Sequence, residues 1–132
     1  MAIITYEKFL EIFNFIKGEP EFEFYFTNTK DTYYIVKYKD EVWAERCCYC
    51  DESELLTQPM IYSSFEELYI TKSVDGICLK DEWENIADIV VNDTFCLVDP
   101  DDVDDLFAVY KELNEKYEKR QNSLKHKKSS TK

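Results

Sequence analysis

A chain of 132 residues, 45% hydrophobic and 16% aromatic, can bury one core without disulfide staples, so a single folded domain is expected. Its two glycines, Gly18 and Gly76, argue against the Gly-rich loops that cradle phosphates. A net charge of −12 disfavours direct nucleic-acid binding by the folded part, and no apolar run approaches the length of a membrane span.

Thr5 is placed to cap a helix in which Tyr6, Phe9, Leu10, Phe13 and Ile16 recur at helical spacing, with Gly18 as the stop. After Pro20 the period changes to two. In 21-EFEFYFTN-28, Phe22, Phe24 and Phe26 fall on one face and Glu23 and Tyr25 on the other. A polar turn leads to a second strand, 32-TYYIVKYK-39, and Asp40–Glu41 connects it to a third, 42-VWAERCCYC-50, giving an antiparallel meander over 21–50. The loop 51–60 runs into a short strand at Met60–Tyr62. Ser64 and Glu67 have the spacing of a capping box that starts a helix ending near Tyr69. A further helical turn after Gly76 sets Leu79, Trp83 and Ile86 inward. The runs 88-DIVV-91 and 94-TFCLV-98 flank Asn92–Asp93, which reads as a two-residue hairpin loop. Asp99 then caps a long helix with Pro100 in its first turn and an apolar stripe of Val103, Leu106, Phe107, Tyr110, Leu113 and Tyr117. The order predicts one α+β domain over 1–120, a mainly antiparallel sheet backed by an N-terminal and a long C-terminal helix. A basic, flexible tail, solvated or disordered, occupies 121–132.

Charge is sharply divided along this order. Residues 119–132 hold six Lys/Arg and no acid, so the first 118 positions carry ten basic against 28 acidic residues, a charge of −18. Within 81–105 there are ten carboxylates and no Lys or Arg. Such density favours solubility or a basic partner.

The run 46-RCCYCDE-52 contains a Cys47-x-x-Cys50 pair, which raises zinc and redox chemistry as possibilities. Zinc needs four ligands, and the other cysteines, Cys78 and Cys96, are single, while His126 sits in the tail. Glu45, Asp51 and Glu52 would hold the thiols protonated, against redox use. The motif therefore reads as a strand packed with small hydrophobes, and no metal or cofactor is expected. The odd count of five cysteines and the helical start MAIITYEKFL, which is no signal peptide, point to reduced thiols in a cytoplasm. The acid run 98-VDPDDVDDLF-107 fails the EF-hand pattern, with Val103, Asp104 and Tyr110 at positions that need an oxygen ligand, glycine and glutamate. With its one histidine in the tail, the chain offers no Ser-His or Cys-His pair, so an enzyme is not expected.

Ten tyrosines remain to be accounted for. Tyr25, Tyr34, Tyr38 and Tyr49 fall on the sheet face opposite the phenylalanines if the register allows. There they serve either as half-buried strand residues or as interface area.

The segment 64-SFEELYITKSVDGICLKDEWENI-86, with its S-F-x-E-L, D-G and L-x-x-x-W spacing, resembles short acidic proteins of bacterial phages and mobile elements. Some of those are anti-restriction or anti-CRISPR inhibitors that occupy nucleic-acid-binding surfaces. The resemblance covers residues 64–86 and implies a comparable origin and an inhibitory role. The leading expectation is a non-enzymatic inhibitor that acts as a nucleic-acid mimic on a basic, nucleic-acid-handling protein. Asp81, Glu82, Glu84, Asp101, Asp102, Asp104 and Asp105 would supply the charge, and Tyr25, Tyr34 and Tyr38 the contact area. Two alternatives stand beside it: an immunity-type protein that neutralises a toxin through tyrosine contacts, and a small metal-binding or enzymatic protein.

Overall fold

The computed structural model describes residues 4–28, 32–47, 60–71 and 78–130, the side chains of 46, 47 and 125–130 excepted. Helix α1 (Tyr6–Phe15) is capped by Thr5, whose hydroxyl accepts the Lys8 N–H at 3.1 Å. It ends one residue before Ile16, which turns to extended geometry yet stays buried, and Gly18 then adopts a φ of 91° that an L side chain would resist.

Strands β1 (Glu21–Phe26), β2 (Thr32–Tyr38), β3 (Glu41–Cys47) and β4 (Met60–Tyr62) form the expected meander. The strand predicted over 42–50 is described only to Cys47, so Cys48, Tyr49 and Cys50 lie outside the described residues, as does the Gly76 turn. After helix α2 (Phe65–Ile70), the short helix α3 (Leu79–Glu82) and a 3-10 turn (Trp83–Asn85), strand β5 (Ile86–Val91) pairs with β1, and β6 (Phe95–Cys96) pairs with β5. The result is one six-stranded antiparallel sheet in the order β4-β3-β2-β1-β5-β6. Helix α4 (Pro100–Ser130) closes the chain.

Ile86, expected on the helical turn, instead opens β5, and two further local expectations change. Val91 pairs with Phe95, so the β5–β6 connection holds three residues instead of two. Asn92 and Asp93 take φ of 50° and 55°, and Thr94 closes the turn by donating its N–H to the Val91 carbonyl at 3.0 Å. At α2 the Ser64 hydroxyl accepts the Glu67 N–H at 3.1 Å, but the Glu67 carboxylate reaches past the cap to the N–H of Ser63 at 3.1 Å.

All helices pack on one sheet face. Phe9 is fully buried at the centre, its ring 4.7–5.7 Å from those of Phe22, Phe24, Phe65 and Trp83. Each such ring contributes about 1.5–3 kcal/mol by burial. Leu106 and Tyr110 bring α4 onto the β5–β6 end, where Tyr110 meets Phe95 at 6.0 Å. Asn92 knots this corner: its side-chain oxygen accepts the Glu21 N–H at 2.8 Å, and its amide nitrogen donates to the Tyr110 hydroxyl. Farther along α4, Asn114 accepts the Lys17 N–H at 2.9 Å and donates to the Phe15 carbonyl at 2.7 Å, while Lys17 pairs with Glu118. The predicted stripe of α4 is thus only half interior: Leu113 and Tyr117 are exposed. The helix continues without a break through the sequence assigned to the basic tail, with Leu124 exposed. Among the described residues, no helix is long and apolar enough to cross a membrane.

Candidate binding face

Strand alternation divides the sheet. Phe22, Phe24, Ile35, Val42, Ala44, Ile89 and Val91 are buried under the helices. The opposite positions form a face on which no described element packs, and the register orders its side chains into rows. One row runs Glu45, Tyr34, Glu23, Val90 and Cys96 across five strands. The next runs Ile61, Trp43, Val36 and Glu21. Tyr25 stands between Thr32 and Asp88, and Tyr38 opposite Glu41.

The aromatic residues here are only partly covered: Tyr25 and Trp43 are each 37% exposed, Tyr38 is 36% and Ile61 51%. Large rings left at this exposure beside one another form the kind of surface that partners cover. The carboxylates of Glu21, Glu23, Glu41, Glu45 and Asp88 are interleaved with them, and no outward position of the described strands carries lysine or arginine. Lys39, in the β2–β3 turn, lies over the Tyr38 ring at 5.4 Å.

For Tyr25 and Tyr34 the neutral phenol is favoured. The Tyr25 hydroxyl donates to Glu23 at 2.5 Å, and this bond, then burial and the charges of Glu23, Asp93 and Asp88, push its pKa up to about 12. For Tyr34, burial comes first and a hydrogen bond to Glu21 second, again raising the pKa. The face therefore offers hydrogen-bonded neutral rings among fixed negative charges.

The sequence-selected tyrosines Tyr25, Tyr34 and Tyr38 do share this face. The sequence-selected acids divide by environment. Asp101, Asp104 and Asp105 in the first turns of α4, Asp81 on α3 and Glu84 in the 3-10 turn are exposed. Glu82 accepts the side-chain amides of Asn28 at 3.2 Å and Asn85 at 2.8 Å, and Asp102 accepts the Cys96 N–H at 3.0 Å. Those two carboxylates fasten elements together.

The acidic start of α4 reaches the edge of this face at Cys96, whose N–H Asp102 accepts, and Asp88 lies beside the same residue. The Asp88 side chain accepts the N–H groups of Ile89 at 2.8 Å and Val98 at 3.3 Å, and it stands opposite Tyr25. The neighbouring Cys96 thiol is pushed up by burial and then by the charges of Asp88 and Asp102, which leaves it protonated and a poor nucleophile. Among the described residues, no three His, Cys, Asp or Glu side chains converge on a metal position. Trp43, Glu21, Glu23, Glu45, Asp88 and Ile61 were not among the sequence-selected residues. The alternation that put Phe22, Phe24, Val42 and Ala44 inward carried the signal for most of them.

Comparison of the chain with protein-family models, with curated proteins and with solved structures gives no match.

Proposed function

We propose that this protein is a non-enzymatic, acidic binding protein that acts in a cytoplasm and inhibits a basic, nucleic-acid-handling protein by covering its anion-binding surface. One observation carries the reading: a sheet face on which no described element packs, in which aromatic rings alternate with carboxylates and whose edge residue Cys96 is bonded by Asp102 at the acidic start of α4. Carboxylates steer a positively charged partner toward the face, and the rings supply area at little entropic cost once contact is made. A mimic of nucleic acid needs both, because phosphate-binding grooves combine lysine and arginine with apolar stacking surfaces. The protonated Cys96 and the position of the single histidine, His126, near the end of α4 support a binding role over catalysis.

The test starts from a partner captured from a bacterial lysate at low salt and then purified. Expected results are displacement by duplex DNA, affinity that falls steeply with salt, and loss of binding in Tyr34→Ala and Glu23→Lys. A partner that DNA does not displace, and that binds as well at high salt, would favour the toxin-neutralising alternative. That alternative draws on the apolar end of the same face, where the Tyr38 and Trp43 rings are 5.7 Å apart beside the exposed Ile61.

A further inference from the structure

The open face is not uniform. On it a small cavity, about 100 Å³, is lined by Tyr34, Val36, Trp43, Ala44 and Glu45. Tyr34 and Glu45 are directly opposed across β2 and β3, as are Val36 and Trp43, so two aromatic residues and one carboxylate surround an apolar floor. We infer that this slot seats a single arginine side chain of the basic partner, its guanidinium stacked on Trp43 and paired with the Glu45 carboxylate. The inference rests on the reading above that the open face engages a basic protein, and it names the anchor.

Three features select arginine. First, Glu45 is half-buried and has no hydrogen-bond or ion-pair partner among the described residues, so its carboxylate is available to an incoming cation. Second, both rings are held. Trp43 packs against Tyr38 at an interplanar angle of 60°, and the Tyr34 hydroxyl is engaged with Glu21. A held ring loses little freedom when a cation stacks on it. Third, a guanidinium is planar, weakly hydrated and forked, so it can stack on an indole and still pair with a carboxylate, whereas an ammonium is a compact and strongly hydrated charge. The wider acidic face attracts either cation; the slot distinguishes them.

The experiment uses the full chain and two acetylated hexapeptides of equal charge, one all arginine and one all lysine. Affinities are measured by calorimetry at matched ionic strength. Trp43 fluorescence gives a second readout, since the other tryptophan, Trp83, is buried. The expected result is at least about five-fold tighter binding of the arginine peptide, in line with an added cation–π contact and a charge-assisted pair. Trp43→Leu and Glu45→Gln should each remove that preference while leaving the weaker lysine-peptide affinity largely in place. Equal affinity for the two peptides, or a preference that survives both substitutions, overturns the slot and leaves the acidic-face reading standing. Failure of both peptides to bind at low salt overturns that reading itself. Should Trp43→Leu fail to fold, Glu45→Gln and the comparison of peptides on the unaltered protein still decide.

Discussion

The Tyr25 hydroxyl donates to the Glu23 carboxylate at 2.5 Å, a pairing possible because residues two apart on β1 share the open face. A phenolate there would meet Glu23, Asp88 and Asp93, so the neutral form is favoured in the folded state. The folded pKa, about 12, lies above the ordinary value of 10.0. The resulting contribution to stability is therefore complete below pH ~10 and is lost as pH rises through about 12. Ring-carbon NMR titration should show Tyr25 ionising above the ordinary tyrosine value. Glu23→Ala should bring it back toward its ordinary value; an unchanged titration would remove Glu23 as the cause.

Lys37 points to the helical side of the sheet, where its ammonium donates to the carbonyls of Phe13 and Ile16 at 2.9 Å each and lies 5.0 Å from the Phe13 ring. It closes the C-terminal end of α1, which has no basic residue in its last turn. Burial lowers its pKa, so the unfolded chain holds the proton more tightly and stability rises with pH between the lowered and the ordinary value. Lys37→Met keeps most of the stem but removes the donor, and it should cost about 1–3 kcal/mol in chemical denaturation. A neutral result would mean that water satisfies those carbonyls equally well.

The Asn114 side chain of α4 bonds to the end of α1 on both sides, to Lys17 and Phe15. Asn114→Ala should lower stability by about 1 kcal/mol, as expected when one exposed and one part-buried backbone group lose a side-chain partner. Deleting residues 121–132 should leave the unfolding midpoint unchanged, because Asn122, Ser123 and Leu124 are exposed. Loss of cooperative unfolding in the truncated protein would place part of the core beyond Arg120.

The cysteine pair invites a direct measurement. Cys47 ends β3, while Cys48 and Cys50 lie outside the described residues. Protein purified under reducing conditions should carry no stoichiometric zinc, and a chelator should leave Tm unchanged. About one equivalent of zinc whose removal unfolds the protein would replace the strand reading with a structural metal site.

The phenylalanine alternation of β1 and the helical repeats of Phe9 and Leu106 were legible because burial on one face leaves a period in the sequence. The pairing of β1 with β5 was not. It joins segments separated by three strands and two helices, and a period says which face is buried without naming the neighbouring strand. The hairpin at Asn92–Asp93 was legible from its turn residues, but its third residue was not, since that depends on the register of Val91 with Phe95. Charge density drew attention to Asp102 and Glu82, whose hydrogen bonds to Cys96 and to Asn28 and Asn85 assign them to the fold. The more selective signal, Trp43 and Glu45 opposite buried Val42 and Ala44, was in the same alternation that revealed the core.

That division sets the terms for testing charge. Asp101, Asp104 and Asp105 are exposed, so they can be reversed to lysine without breaking a side-chain bond, whereas Asp99 and Asp102 must be kept because they accept the N–H groups of Asp101 and Cys96. Each reversed acid still loses a favourable interaction with the helix N-terminus, about 0.3–1 kcal/mol, so Asp→Asn variants at the same positions serve as the stability control. If the acidic start of α4 steers the partner, the triple reversal should slow association by an order of magnitude or more at low salt and leave dissociation nearly unchanged, because steering acts at long range and exposed charges are screened beyond about 8–10 Å at physiological ionic strength. The open face should show the complementary behaviour: Tyr34→Ala should speed dissociation and leave the salt slope intact. Stopped-flow kinetics with the captured partner separates the two. Association rates indifferent to the triple reversal would remove the helix start from the interface, and dissociation indifferent to Tyr34→Ala would remove the sheet face.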